Sequence, residues 1–323
     1  MDQSWMVVAS PHGAARDISL ACYAALQQMG KRVVLFDSLK SSDQIKSQLL
    51  PQFHDHAYDW MDYQLISRVV ENQVTHFFTG GLAPVGAFVL KNLAVLGVQR
   101  IHWFYEDYRL VQYYKELAPF YDCFACVQKG DLLYEVPKRG GKYYYLPNGG
   151  PSVAEKKEWD SRLDTVAFVG VPSAYRIQIL EALHQGGVSL QIAGEGWGNY
   201  QGCLKSSIVH PHWISREESF QVYQNAKVVL CLGQTPPEMD QQVSPRIFEV
   251  LANGAWAISD QTPLQLEILP EVPQFQKVEE LLKQVQYALA SKPKDLSGLS
   301  EYVSSNHSIQ ARLEQLLTHL GLA

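Results

Sequence analysis

Two runs of alternating strand and helix signals, one in each half of the chain, constrain its fold more than any other feature. In the first run, residues 6–9 read as a strand, Ser10 to Gly13 as a turn, 18–29 as a helix closed by Gly30, and 33–36 as a second strand. Further strands are expected at 76–79, 101–105, 123–127 and 143–146, separated by helical patterns such as 63–70 and 87–96. Strands that alternate with helices need crossover connections, so they lie parallel in one sheet with helices on both faces.

The pattern lapses between residues 147 and 163, where Asn148, Gly149, Gly150, Pro151 and Ser152 lead into the charged run 155–158, the expected interdomain linker. The alternation then restarts, with strands expected at 165–169, 189–193, 228–232 and 255–258 and helices at 174–184, 216–225, 246–253 and 279–290. The reading is an α/β chain of two Rossmann-like, doubly wound domains facing a cleft. Residues 1–155 form the first domain and 156–305 the second. A final helix in 306–323 carries the apolar stripe Ile309, Leu313, Leu316, Leu317 and Leu320.

Composition narrows the function classes. A chain of 323 residues with 46% hydrophobic and 19% charged residues suits two ordinary globular domains, and a net charge of −6 offers no general attraction for nucleic acid. Five cysteines, an odd number scattered along the chain, argue against a disulfide framework and for a reducing compartment. The start lacks a basic signal-peptide region, and the apolar window 85–98 contains Lys91 and Asn92 and is too short to span a bilayer. A cytoplasmic protein with no integral membrane segment is expected.

The residues with the most chemical content lie in 244–260. Ser244 and Pro245 open a turn, a short helix follows, Asn253 and Gly254 break it, and a strand closes the segment at Asp260. Arg246 and Glu249 are three apart and share a face near the helix N-terminus, where an anion is favoured. The same spacing is also that of an ordinary surface ion pair. Gly170, after the strand at 165–169, and Arg176, in the first turn of the next helix, supply a phosphate-approach geometry that would make a two-arginine clamp with Arg246. The glycines of 194–198 superficially suit a dinucleotide fingerprint, but no helix pattern follows them.

His210 and His212 have no third ligand nearby and read as structural or surface residues, and Cys123 and Cys126 lie in an apolar strand and read as core. Glu238 and Asp240 mimic an acidic metal motif but fall in a Pro-rich loop well past a strand, so no metal site and no cofactor are expected.

Several segments together resemble the GT-B glycosyltransferases, and most closely the branch of CgeB-like spore-maturation proteins. The resemblance rests on Arg246, Ile247, Phe248 and Glu249 followed by Ala252, Gly254 and Asp260, on Gly194, Gly196 and Trp197, on Trp103, Phe104 and Glu106, on Leu146 and Pro147, and on 306–317. It implies a UDP- or dTDP-sugar donor, with Glu249 on the ribose hydroxyls and Gly194, Gly196 and Trp197 lining the donor side. It further implies Trp213 and Ile214 at the nucleobase, and a last helix that packs on the N-terminal domain. Gln241 stands where many GT-B enzymes carry a first Glu, eight residues before the ribose Glu.

The expected reaction is metal-independent transfer of a sugar to a hydroxyl of a glycan, protein or small molecule. Arg176, Arg246 and helix N-termini, with Ser244 opening the donor segment, would stabilise the leaving diphosphate. The base is expected from the N-terminal domain: His12 in the first strand-to-helix turn, or Glu106 at a strand end among aromatic residues that would raise its pKa. A nucleotide-sugar epimerase on the same fold and a non-catalytic sugar-nucleotide-binding partner protein are the alternative readings.

Overall fold

Both alternating runs fold into parallel sheets of six strands each. The computed structural model describes residues 3–152, 156–234 and 242–322. Two compact units result, Met1–Pro147 with Leu313–Ala323, and Asn148–Arg312.

The first unit comprises β1 (Ser4–Ala9), α1 (Gly13–Gln28), β2 (Arg32–Asp37), α2 (Ser38–Gln48), α3 (Ala57–Glu71), β3 (His76–Gly80), α4 (Ala87–Val95), β4 (Gln99–Phe104), α5 (Tyr114–Leu117), β5 (Cys123–Cys126), α6 (Leu132–Lys138) and β6 (Tyr143–Tyr145). Its sheet runs β2-β1-β3-β4-β5-β6, all parallel. Every residue of β1, β3 and β5 is buried, as strands covered by helices on both faces require. The chain adds β2 on one side of β1 and β3 on the other, so a topological switch point lies at the carboxyl ends of β1 and β3.

The second unit comprises β7 (Leu163–Val169), α7 (Ala174–Gln185), β8 (Leu190–Ala193), β9 (Ile208–His210), α8 (Arg216–Asn225), β10 (Ala226–Cys231), α9 (Pro245–Ala252), β11 (Trp256–Asp260), α10 (Pro263–Ile268), β12 (Gln274–Phe275), α11 (Val278–Ala290), α12 (Leu296–Asn306) and the start of α13 (Ile309–His319). Its order is β12-β11-β10-β7-β8-β9, again all parallel, and its switch point lies between β7 and β10. Arg162 ties the unit together from within. Its buried guanidinium donates to the carbonyls of Lys157, Tyr223, Ala226 and Asn253, and burial pulls its pKa down to about 10.

Two local expectations differ from the structure. Helix α1 begins at Gly13, immediately after the turn, and not at 18. The stretch read as the start of a linker is zipped to the later chain: Gly150 donates to His307 O at 2.9 Å and accepts from Ile309 N at 2.8 Å, while Arg312 Nε reaches Asn148 O at 3.0 Å. In the first unit, the returning segment stacks His319 on Tyr144 with ring centroids 3.9 Å apart and accepts a bond from Lys31 Nζ on the Leu322 carbonyl.

Candidate functional site

In the second unit the switch point gathers most of the residues singled out in sequence. Gly170 N donates to Ala193 O, and Gly194 N donates to His210 O, so the loops after β7 and β8 continue the ladder beyond the strands. The two loops then touch. A Cβ on Gly194 would lie 2.4 Å from the Gly170 carbonyl oxygen, so only glycine allows this approach. Trp197 is fully buried, donates from Nε1 to the same carbonyl at 2.7 Å, and packs edge-on to Phe168. It anchors the loop from inside the core and does not line an open surface. Gly196 adopts a left-handed backbone against Pro172.

The arginines divide their roles. Arg176 is 3% exposed, and its guanidinium donates to Val171 O, Leu232 O and Gly233 O at 2.8 to 2.9 Å. Those carbonyls belong to the loops after β7 and β10, so Arg176 fixes the rim of the switch point. Arg246 is only half-buried and makes one long bond, 3.4 Å, to Leu232 O. Both guanidiniums lie over the Phe168 ring, and a Cβ on Gly170 would meet Arg246 Nη2 at 2.9 Å and Arg176 Nη1 at 3.3 Å. Of the two guanidiniums beside Gly170, Arg246 is therefore the less engaged by the protein itself.

Helix α9 carries Arg246 and Glu249 as the spacing requires. Pro245 occupies its first turn, where a missing N–H costs nothing, and Ser244 is its N-cap without a capping side-chain bond. Glu249 accepts from Arg216 Nε at 3.3 Å, and Arg216 Nη2 is buried with no hydrogen-bond partner among the described residues. The expected nucleobase pair is split: Trp213 is 51% exposed while Ile214 is buried.

One residue here was not anticipated, and a second, Asp260, was expected only as the close of its strand. Arg216 opens α8 behind a Ser215–Glu218 capping box, a signal that locates the helix but says nothing of Glu249. Asp260 accepts from Tyr175 OH at 2.5 Å and from Gly233 N at 2.6 Å, which locks the loop after β10. Glu238, Asp240 and Gln241 lie outside the described residues. Among the described residues, no group of three or more His, Cys, Asp or Glu side chains could hold a metal ion. His210 and His212 lie with ring centroids 6.3 Å apart, and Cys123 and Cys126 are buried as free thiols.

In the first unit, the loops at the switch point are joined by Ser10 Oγ, which donates to Gly81 O at 2.5 Å. His12 is exposed and stands at the N-cap of α1 without a capping bond from its side chain. Glu106 follows β4, and its carboxyl lies so close over Gly81 that a Cβ there would overlap Oε1. Burial pushes the Glu106 pKa up to about 7, against the opposing effect of a bond from Tyr113 OH to Oε2 at 3.1 Å. Neighbouring Arg109 pairs with Asp107, Nη2 to Oδ2 at 2.5 Å, and among the described residues no cation pairs with Glu106. A carboxyl poised near neutrality can exchange a proton with a substrate hydroxyl.

Comparison with known proteins fits this geometry. Residues 176–318 match a family model described as glycosyl transferase-like. No curated protein matches the chain by sequence. Among solved structures, the chain is similar to a sucrose-phosphate synthase from Thermosynechococcus elongatus, with a TM-score of 0.66, 14% identity and 99% of each chain covered. It is also similar to a UDP-forming α,α-trehalose-phosphate synthase from Burkholderia xenovorans, with a TM-score of 0.57, 13% identity and 99% of each chain covered. A third similar structure is a protein from Listeria monocytogenes assigned as a UDP-N-acetylglucosamine 2-epimerase, at a TM-score of 0.58 and 8% identity, covering 99% of this chain and 96% of that one. At these identities the likeness establishes the fold, two Rossmann-like units of GT-B type. Among the described residues, no helix is long and apolar enough to cross a membrane.

Proposed function

We propose that the protein is a glycosyltransferase that takes its sugar from a nucleoside-diphosphate sugar, UDP- or dTDP-linked, held by the second unit, and passes it to an acceptor hydroxyl held by the first. The observation that carries this reading is α9, which presents Arg246 at Gly170 and Glu249 one turn later at a parallel-sheet switch point. That spacing suits a diphosphate at Arg246 and a ribose diol at Glu249. The family match over 176–318 includes α9 and β10. Within the fold, the CgeB-like branch is supported by the Gly194, Gly196 and Trp197 loop and by the Arg246 to Asp260 segment.

In the reaction, the acceptor oxygen bonds to the anomeric carbon, the bond from that carbon to the diphosphate breaks, and the acceptor proton passes to Glu106. Arg246 and the α9 N-terminus stabilise the charge that develops on the departing diphosphate, so the transfer proceeds without metal. Arg176, Trp197 and Asp260 hold the loops that shape the pocket. His12 is the alternative candidate for the base, to be tested next if Glu106→Gln keeps near-normal turnover.

The test is a thermal-shift panel of nucleoside diphosphates and nucleotide sugars against NAD, followed by assay of donor hydrolysis and donor epimerisation without acceptor. Selective stabilisation by UDP or dTDP with slow donor hydrolysis is expected. Epimerised free donor would establish an epimerase, and binding without any turnover a non-catalytic sugar-nucleotide-binding protein.

A further inference from the structure

The geometry points to Tyr113, a residue with no distinguishing sequence motif, as the positioning residue that aims and tunes the Glu106 carboxylate. This rests on the reading of Glu106 as the base. The Tyr113 hydroxyl touches three partners drawn from separate parts of the first unit: Glu106 Oε2 at 3.1 Å, His102 Nε2 at 3.0 Å, and the backbone N of Leu82 at 3.3 Å.

Counting protons fixes the direction of the chain. A phenol has one proton and two lone pairs. If that proton goes to the Glu106 carboxylate, both remaining contacts must donate to Tyr113, so His102 carries its proton on Nε2. Its Nδ1 faces Thr79 Oγ1, 2.7 Å away, whose single proton is shared between His102 and the Tyr121 hydroxyl. His102 is buried, and burial drives its pKa down to about 3, so it stays neutral. The Tyr121 hydroxyl closes the buried end, accepting from Thr79 Oγ1 at 3.0 Å. An aromatic frame holds the rings edge to face, with Tyr113 5.7 Å from His102 and 5.4 Å from Phe104 between centroids.

The third contact has its own cost. Leu82 adopts a left-handed backbone, φ +56°, at the carboxyl end of β3, a conformation that non-glycine residues rarely take. Its N–H is held by Tyr113, and its side chain is half exposed beside the loop that Glu106 covers. One hydroxyl thus ties the Gly81–Leu82 loop to the carboxylate above it, beside the Ser10 bond to Gly81 O and the backbone N–H groups of Tyr105 and Glu106. The Tyr113 phenol and the backbone N–H groups of Tyr105 and Glu106 act on the Glu106 carboxyl, whose charge in turn raises the pKa of the Tyr105 and Tyr113 phenols; His102 bonds the far side of the Tyr113 hydroxyl, and Asp107 is paired with Arg109.

The experiment is a ¹³C NMR titration of the glutamate carboxyls, with ¹⁵N spectra of the histidines, in the full chain and in Tyr113→Phe. Phenylalanine keeps the ring packing and removes only the hydroxyl. The Glu106 midpoint is expected to rise by about one unit, a tenfold change in proton affinity, and His102 is expected as the Nε2–H tautomer in the parent chain. The acidic limb of the kcat profile should move up with the midpoint while donor KM stays constant. In Tyr113→Phe/Leu82→Gly, glycine relieves the left-handed backbone, and the raised midpoint should persist. An unchanged midpoint in Tyr113→Phe, or one restored by Leu82→Gly, overturns the proposal. Near-normal turnover in Glu106→Gln would instead overturn the base reading and leave the titration shift standing.

Discussion

Arg216 Nε lies 3.3 Å from Glu249 Oε1, with both side chains about one-sixth exposed, so the carboxylate assigned to the donor ribose already has a charged neighbour. Glu249→Ala should therefore do two things. Donor affinity should fall by roughly 1.5–3 kcal/mol, the worth of hydrogen bonds to a charged group, and stability should fall by about 1–3 kcal/mol because Arg216 loses a partner. Calorimetric titration with UDP and a urea melt measure the two effects separately, and unaltered UDP affinity would remove Glu249 from the site.

Glu106→Gln should lower kcat by about 10²–10⁴ with donor binding intact. In the parent chain, kcat should climb with pH and level off above about 7, once the carboxyl is ionised. Stability has the opposite slope. The folded pKa is raised from 4.5 to about 7, so between those values the folded state holds a proton that the unfolded chain has released, and stability declines as pH rises through that window. The Gln variant should lack this decline, which denaturant melts at pH 5 and pH 8 would detect.

Arg176 and Arg246 should separate cleanly under mutation. Arg176→Leu removes the donors to three carbonyls, the buried one of Leu232 and the part-buried ones of Val171 and Gly233, and should cost about 1–3 kcal/mol of stability. Arg246→Leu should leave the melting temperature nearly unchanged while weakening UDP binding by roughly 1.5–3 kcal/mol. A soluble, stable Arg176 variant that fails only in binding would reassign it as a ligand contact.

How much of this was legible in sequence depended on the physical signal each part carries. The alternating strands announced themselves because parallel strands such as β1, β3 and β10 are near-continuous apolar runs. Helix α2 did not, since its buried face is Ser38, Ser41, Ser42 and Ile45, which makes no apolar stripe. Strands β9 and β12, three and two residues long, are too short to show a period. Arg246 and Glu249 were recoverable because helical geometry fixes their relation within one turn. Depth was not recoverable: nothing in a Gly-x-Gly-Trp string says that Trp197 points into the core, or that Arg176 is spent on carbonyls. The Glu106, Tyr113, His102 and Thr79 chain was invisible because a buried network is defined by distances across strands, and no spacing encodes it.

Gly194→Ala should clash with the Gly170 carbonyl, a backbone atom that cannot swing aside. A loss of about 1–3 kcal/mol with collapse of donor binding is expected. Gly298→Ala, inside α12 with nothing within 4 Å of the added carbon, is the control and should stabilise by about 0.5–1 kcal/mol. Equal effects at the two positions would show that the loop contact does not matter.

On the proposed reading, in which Arg246 and the α9 N-terminus supply the positive charge, turnover should survive EDTA. Loss of activity on chelation, restored by Mn²⁺ or Mg²⁺, would bring Glu238 and Asp240 back as ligands.

The return of the chain after α12 bears on how the molecule can be taken apart. Leu313, Leu316 and Leu317 are almost wholly buried and belong to the first unit, although more than 160 residues of the second separate them from Pro147. A fragment ending at Pro147 would leave their seat bare and should be prone to clumping. The same fragment with 313–322 spliced on through a short flexible tether should be the version that expresses as a well-behaved half.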